Sequence, residues 1–513
     1  MMDDTKHSMI EYYQLLDKHQ LVKHCEIKDG HKEWPIQYIS FNSKDIKKNT
    51  LFVCKGSHFS AEYLKAAIRD GAVCYISETR YELSDGELPG GGVSCIIVND
   101  IRKTMALLAD YYYNQIWRDL NIVGITGTKG KSTTAYFMKF IMDEYLREKK
   151  KPLSAIISGI DNYDGIINEE SHLTTPEAME LHKHFFNAAS SGIEYLSMEV
   201  SSQALKYDRT LGVNFTVGCF LNIGEDHISD VEHSSFEDYL ESKLRLFAQC
   251  ENACININSD QIDRILEASK ACPNVVTFGL DERADIFGYD IIKAGKNISF
   301  KVRTKNLEKD FEKEFKITMA GLFNVQNALA AISISYCLGI PMSFVAAGLK
   351  KARVSGRMEV YTGKKKKVQV IVDYAHNKMS FETLFQSTRK EYPDKKITIV
   401  FGCPGKKAVR RRQELGEIAG RYSDQVYITE EDAGEEPLLK ICEEIAQHVE
   451  KQECSYAIIP DREEAIREAI VNADDNTIVL VTGKGRETRQ KRGTLYIDTP
   501  SDVEYVKKYL GIN

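Results

Sequence analysis

The sequence predicts an α/β protein of several domains, and three observations carry that expectation. At 513 residues the chain exceeds what one hydrophobic core organises, so about two to four domains are expected. Short apolar runs alternate with helix-like segments along most of its length, which is the signature of mostly parallel sheets covered on both faces. The alternation also restarts, once near Asn121 and again after Gly356.

The first unit alternates strands at Thr50–Val53, Val73–Ile76 and Ser94–Val98 with helices at Ala61–Asp70 and Arg102–Tyr113. Asn121–Thr126 then reads as a buried strand, followed by a glycine loop and a helix whose Met138, Ile141, Met142 and Tyr145 share one face. Strands at Leu153–Ile157, Tyr195–Glu199 and Phe215–Ile223 continue this second unit. Ser299–Val302 and Glu314–Met319 are expected as an appended antiparallel pair before the helix Val325–Leu338. In the third unit, strands at Val368–Asp373, Lys396–Phe401, Gln425–Thr429 and Thr477–Thr482 are separated by helices such as Gln413–Tyr422 and Leu438–Lys451. The expected domains are 1–113, 114–353 and 354–513.

Composition excludes several classes. Apolar residues at 43%, charged residues at 28% and only 11 prolines describe a chain that folds, not a disordered or fibrous one. The net charge of −7 is spread over mixed-sign segments, and basic runs such as Lys364–Lys367 and Arg410–Arg412 are short, so nucleic acid is not an expected partner. No run of about 18 apolar residues suggests a membrane span, and Met1–Gln20 carries charges where a secretion signal needs an apolar stretch. The 12 cysteines sit mostly inside apolar runs, as buried thiols do in a reducing compartment, so a cytoplasmic protein is expected. Cys250 and Cys254 have no second pair at zinc-ligand spacing.

The strongest local motif is Thr126, Gly127, Thr128, Lys129, Gly130, Lys131, Ser132 and Thr133, placed between a strand and a helix. Backbone N–H groups and the helix N-terminus can receive phosphate oxygens, Lys131 can neutralise them, and the Ser132 hydroxyl can ligate magnesium. Its spacing departs from the common Walker pattern, because Ile125 precedes the first usable glycine. Glu199, in Met198-Glu-Val-Ser-Ser-Gln203, ends a buried strand where open α/β sheets hold ligands, and it suits a magnesium ligand facing the glycine loop. Asn222, Asp226 and His227 end the next apolar strand and are expected nearby.

These segments, in this order, resemble the Mur ligase family, in particular its branch that adds a third amino acid. Gly127–Thr133, Glu199-Val-Ser-Ser, Asn222 with Asp226-His227, Gly321-Leu-Phe-Asn-Val-Gln-Asn327, Gly356-Arg-Met-Glu, Asp373-Tyr-Ala-His376 and Gly483-Lys-Gly-Arg-Glu487 carry the likeness. The resemblance implies an N-terminal UDP-binding domain, a central P-loop ATPase domain and a Rossmann-like C-terminal domain that binds an amino acid. It implies ATP and Mg²⁺ as cofactors, with UDP-N-acetylmuramoyl-dipeptide and a free amino acid as substrates, and a monomer is expected. Catalytic roles fall to Lys131, Glu199, His227 and Lys243. Of these, Glu199 and His227, with Ser132, serve the metal. Lys243 matches a lysine carbamylated in the family, whose carbamate can ligate a second magnesium. Asn222, Asn324, Asn327, Arg357, Asp373 and His376 join the glycine loop around ATP. Ser43, Thr174, Thr175, Ser201 and Arg209 match positions that hold the UDP-sugar-peptide, although Lys44 stands where arginine is usual.

The implied reaction activates the substrate's D-glutamate carboxylate as an acyl phosphate, which the amino acid's amine displaces. Arg412, Glu430, Glu431, Asp432, Gly483 and Glu487 fall on acceptor positions of the family. Diaminopimelate enzymes carry Asp-Asn-Pro-Arg where this chain has Glu430-Glu-Asp-Ala-Gly434, and three acids without an arginine suit the distal ammonium of L-lysine. The alternatives are the same reaction with meso-diaminopimelate or ornithine, a related Mur-type ligase outside the main wall pathway, or a nucleotide-binding protein without turnover. Folylpolyglutamate synthetase lacks the N-terminal unit seen at residues 35–112.

Overall fold

The computed structural model describes residues 7–28, 30–56, 59–83, 93–226, 228, 232–294, 297–354, 356–363, 367–406 and 409–512. His227 and Lys364–Lys366 therefore lie outside the described residues.

Three large sheets follow one another along the chain. In the first, Tyr38–Ser40, Thr50–Val53, Ala72–Ser77 and Ser94–Val98 run parallel, and Val22–Glu26 closes the far edge antiparallel to Ser94–Val98. The helix Ile101–Tyr112 returns across this sheet, and the Asp100 carboxylate caps it by accepting from the N–H groups of Arg102 and Lys103 at 3.0 Å. Leu51, Val53, Ile76 and Ile96 close the core beneath it.

The central sheet has eleven strands. At its heart Asn121–Thr126 lies between the parallel strands Tyr195–Glu199 and Phe215–Phe220. The chain first steps outward to Ala155–Ile157 on one side of Asn121–Thr126 and later crosses to its other side. The C-terminal end of Asn121–Thr126 consequently opens on the crevice where such sheets bind ligands. The helix Lys131–Glu148 and the helix Asn324–Cys337 cover one face, burying Phe137, Met138 and Ile141 against Leu329 and Ile332. Each such side chain contributes about 1.5–3 kcal/mol through removal from water.

The expected appended pair is one part of a larger feature. Ile286–Ala294, Asn297–Thr304 and Glu312–Ile317 form a three-strand meander that continues the central sheet. At the opposite end a hairpin of Asp161–Tyr163 and Asn168–Glu170 extends it again.

In the third sheet Gln369–Asp373, Thr477–Thr482, Lys396–Phe401, Gln425–Ile428 and Ser455–Ile458 are parallel, with Glu359–Thr362 antiparallel at the edge. A separate hairpin, Arg489–Arg492 with Leu495–Asp498, leans back toward the central domain. Its base is tied there, since Thr488 donates to Glu170 at 2.9 Å and Arg489 contacts His172 at 2.7 Å.

Among the described residues no helix is long and apolar enough to cross a membrane. All twelve cysteines are free thiols.

Candidate active site

The glycine loop leaves the strand Asn121–Thr126 and enters the helix Lys131–Glu148 through Gly130, whose φ of +87° is left-handed. A Cβ at Gly130 would collide with the side-chain oxygen of Asn327. The loop is pinned from the neighbouring strand end: the Lys129 N–H donates to Asn222 Oδ1 at 2.8 Å, and Asn222 Nδ2 donates to the Lys129 carbonyl at 3.0 Å. The loop's outward backbone and the helix N-terminus make a cradle for anions.

Two lysines meet behind this cradle. Lys131 and Lys243 each donate to the Gly127 carbonyl at 3.0 Å. Lys243, at the end of the helix Phe236–Leu244, is only 1% exposed, and its ammonium faces the Tyr239 ring at 4.7 Å. Burial, with Lys131 and Lys129 nearby, holds the Lys243 amine well below the usual lysine range. Burial also lowers Lys131, while Glu199 and Asp226 oppose the shift. Lys129 is pushed down to about 8 by burial.

A cavity of about 550 Å³ opens over the loop. Its walls include Lys129, Lys131, Ser132, Glu199, Asn222 and Asp226 from the central domain, and Arg357, Asp373 and His376 from the C-terminal one. Asn324 and Asn327 line it too, and Asn327 Nδ2 donates to Asn324 Oδ1 at 2.9 Å. Burial raises Asp373 from its ordinary value, while two N–H groups, of Met358 at 2.9 Å and Ala375 at 2.8 Å, bind its two oxygens. Burial, with Lys129 and Arg411 nearby, keeps His376 neutral. Its Nδ1 donates to the Tyr374 carbonyl at 2.7 Å, which leaves Nε2 as the lone-pair nitrogen.

Among the described residues, the metal donors expected from the sequence, Ser132 and Glu199, offer oxygen. Glu199 is buried with Oε1 accepting from the Gly159 N–H at 2.7 Å, and Ser132 shares its cavity. No group of three or more His, Cys, Asp or Glu side chains stands ready for a metal among the described residues. The Glu199 carboxylate with the Ser132 hydroxyl fits a cation that keeps waters and phosphate oxygens in its shell, as Mg²⁺ does. Cys250 lies 3.7 Å from Cys272, and Cys254 lies 3.7 Å from Cys337.

A second cavity of about 640 Å³ lies between the hairpin Asp161–Glu170 and the C-terminal domain. Asp432 and Glu487 line it, but the acidic stretch is not an open trio of carboxylates. Glu430 accepts from Arg492 at 3.0 Å, and Asp432 pairs with Lys484 at 3.0 Å. Glu431 is buried against Gly483, and burial pushes its carboxyl up to about 8. Arg486 and Arg489 also border the cavity, so the region holds cations that the loop sequence alone did not reveal.

Arg412 is placed elsewhere. It is 2% exposed and binds Glu436 at 2.7 Å and Glu444 at 2.6 Å inside the C-terminal domain, because the helix Arg410–Tyr422 turns its side chain inward. The neighbouring Arg411 faces the cleft instead, 3.5 Å from Asp226. Asn377 also donates to Asp226, and Lys129 reaches it at 3.5 Å. Asp226 thus joins the glycine loop to the C-terminal domain.

The remaining expected positions form a polar knot beside Glu199. Thr175 donates to the Glu199 carbonyl at 3.0 Å and accepts from the Ser201 N–H at 3.0 Å. Arg209 holds the Thr175 carbonyl at 3.0 Å and Glu177 at 2.8 Å, and Glu177 binds Lys55 of the N-terminal domain at 2.6 Å. Thr174 lines the cavity over the glycine loop. Ser43 is half-buried in the loop after Tyr38–Ser40 and lines neither cavity.

Residues 125–335 match the Mur ligase middle domain, and residues 356–485 match the Mur ligase glutamate ligase domain. A UDP-N-acetylmuramyl-tripeptide synthetase of Lactobacillus delbrueckii subsp. bulgaricus is 35% identical over 509 residues, covering 95% of each chain. The chain belongs to the Mur ligase family. A UDP-N-acetylmuramoyl-L-alanyl-D-glutamate–L-lysine ligase of Enterococcus faecalis is 33% identical, covering 93% of each chain. The corresponding 2,6-diaminopimelate ligase of Clostridioides difficile is 35% identical over 89% of this chain and 91% of its own. A solved structure of a UDP-N-acetylmuramoyl-L-alanyl-D-glutamate–2,6-diaminopimelate ligase shares the fold, with a TM-score of 0.64 at 22% identity over 97% of this chain and 98% of that one.

Sequence reading passed over Lys484, Tyr374, Asn377 and Arg411. The first three lie inside or beside motifs of the family and gave a signal by position. Arg411 gave none that separates it from Arg410 and Arg412, because only the helix phase decides which of the three faces the cleft.

Proposed function

We propose that this chain is a cytoplasmic ATP-dependent ligase that adds L-lysine to UDP-N-acetylmuramoyl-L-alanyl-D-glutamate through an acyl phosphate. The observation that carries the reading is the meeting of two cavities, one over the glycine loop and one lined by Asp432 and Glu487, at Gly159, Arg357 and Tyr374. A phosphoryl donor in the first and an amine in the second would approach a carboxylate held between them. The free thiols agree with a reducing compartment.

In the first step a D-glutamate carboxylate oxygen attacks the γ-phosphorus of ATP, and ADP leaves. In the second the amino acid's amine attacks the acyl carbon, phosphate leaves, and the nitrogen loses a proton. The glycine-loop N–H groups and Lys131 hold the phosphates, while Arg357 and His376 approach from the C-terminal domain. Ser132 and Glu199 would hold Mg²⁺, which supplies charge neutralisation at the transferring phosphoryl group. Asn324 and Asn327 would face the nucleotide, while Thr174, which lines the same cavity, with Thr175, Ser201 and Arg209 beside it, would meet the peptide.

Lys243 is proposed to act as a carbamate. Its neutral amine can add CO₂ with loss of a proton, which replaces an uncharged group near Lys129 and Lys131 with an anion attracted to both.

For the acceptor, Asp432 and Glu487 already hold one ammonium, that of Lys484, at 3.0 and 2.6 Å, so the pair has the geometry to take a lysine side chain. A second reading, meso-diaminopimelate, is favoured by Arg486 and Arg489 at the same cavity, which could meet a distal carboxylate. The test of the ligase reading is phosphate release by the purified protein with each of ATP, UDP-N-acetylmuramoyl-L-alanyl-D-glutamate and the amino acid omitted in turn. Release that needs all three supports it, and release independent of the amino acid contradicts it.

A further inference from the structure

The nucleotide and acceptor cavities share a wall made by Gly159, Arg357 and Tyr374. Tyr374 belongs to both sides. Its main chain lies on the nucleotide side, where its carbonyl holds His376 Nδ1 and the preceding Asp373 lines the cavity. Its ring carries the Arg357 guanidinium at 4.3 Å. Its hydroxyl emerges on the acceptor side and donates to Oε1 of Glu487. The other oxygen of Glu487 pairs with Lys484 at 2.6 Å, and Lys484 reaches Asp432 at 3.0 Å. One unbroken set of contacts therefore runs from Arg357 to Asp432.

We propose that Tyr374 is a positioning residue that couples nucleotide binding to acceptor binding. The inference rests on the acceptor reading of the second cavity given above. Phosphate charge over the glycine loop would fix Arg357, and Arg357 fixes the ring it covers. A phenol has two side-chain torsions, so a fixed ring places its hydroxyl, and the charge-assisted bond then orders the Glu487 carboxylate before the amino acid arrives. An acceptor meeting an ordered carboxylate loses less conformational freedom on binding, which makes the coupling positive. Linkage then requires the acceptor to tighten the nucleotide by the same factor.

Tyr374→Phe keeps the ring and removes the hydroxyl. In the full-length protein its expected effect is an acceptor KM raised about tenfold or more, with nucleotide affinity measured without acceptor within about twofold of the parent. Calorimetry with a non-hydrolysable ATP analogue and the UDP-dipeptide, with and without acceptor, reads the coupling. The parent should bind the analogue about fivefold or more tighter with acceptor present, and Tyr374→Phe should lose that difference. An unchanged acceptor KM, or coupling that survives in the variant, overturns the proposal. If Tyr374→Phe does not fold, the coupling measurement alone is made on Glu487→Gln, because Glu487 itself lines the acceptor cavity and its loss raises the acceptor KM directly. In the double variant the coupling loss should equal that of either single change, and additive losses would contradict a path through Glu487. A parent protein that ligates no amino acid at all removes the function reading and this inference together, whereas a working parent with an unaffected variant removes the inference alone.

Discussion

Lys131 and Lys243 donate to the same acceptor, the carbonyl oxygen of Gly127, each at 3.0 Å. Two amines on one carbonyl in a buried site cannot both remain comfortably charged; burial lowers both, and the more deeply enclosed Lys243 is held further toward neutrality. In the proposed mechanism the two side chains take different chemistry from this one anchor: Lys131 as a cation for phosphate, Lys243 as the amine that would be carbamylated.

Lys131→Ala should lower kcat about a hundredfold to a thousandfold, as loss of one preorganised charge at a phosphoryl group does, with thermal unfolding near that of the parent. Steady-state kinetics and a melting curve check both parts. Unchanged turnover would remove Lys131 from the phosphate site.

Lys243→Ala should lose most activity and regain part of it on addition of short carboxylic acids, which can place an anion where the carbamate would lie. Intact-mass measurement of the parent under CO₂, and kinetics of the variant with and without acetate, read the two halves. Full activity in the variant without acetate would refute the carbamate role.

Gly130→Ala should damage nucleotide binding more than folding. The added carbon would meet Asn327 and force a left-handed residue to carry a side chain, a strain of about 1–3 kcal/mol. The ATP KM is expected to rise about tenfold, and an ATP KM equal to that of the parent would show that the Gly130–Asn327 contact does not shape the site.

Glu431 makes stability depend on pH in a defined direction. Burial raises its carboxyl to about 8, above the value of about 4.5 for an unfolded glutamate. Between those values the folded chain holds a proton that the unfolded chain has released, so this contribution is complete below about 4.5 and is lost as pH rises to about 8. Glu431→Gln, which cannot titrate, should flatten that part of the profile. Denaturant unfolding of both proteins from pH 5 to 8.5, on the order of a few points, measures it, and parallel profiles would contradict the buried proton.

Much of the fold was legible in the sequence because buried parallel strands are uninterrupted apolar runs: Thr50–Val53, Tyr195–Glu199, Lys396–Phe401 and Thr477–Thr482 lie where their residues place them. The hairpin at Asp161–Glu170 was not legible, since Asn168, Glu169 and Glu170 are all exposed and carry no alternation of apolar and polar positions. The glycine loop and Glu199 announced themselves by position at strand ends. The acceptor side did not, because its character comes from pairing across loops: Lys484 with Asp432, Arg492 with Glu430, and Glu431 beneath Gly483. Three adjacent acids read as an anionic patch until their partners, about fifty to sixty residues away in sequence, are brought to them by the fold.

The central claim, transfer of L-lysine onto the UDP-linked dipeptide, is tested most directly by competition. The purified protein receives ATP, Mg²⁺ and UDP-N-acetylmuramoyl-L-alanyl-D-glutamate with L-lysine, L-ornithine and meso-diaminopimelate together at equal concentration, and the nucleotide product is weighed by mass spectrometry. The account predicts a tripeptide carrying lysine as the main product. A product carrying diaminopimelate would contradict the reading of Asp432 and Glu487 as an ammonium pair and assign the distal group to Arg486 and Arg489, and the absence of any tripeptide would contradict the ligase itself.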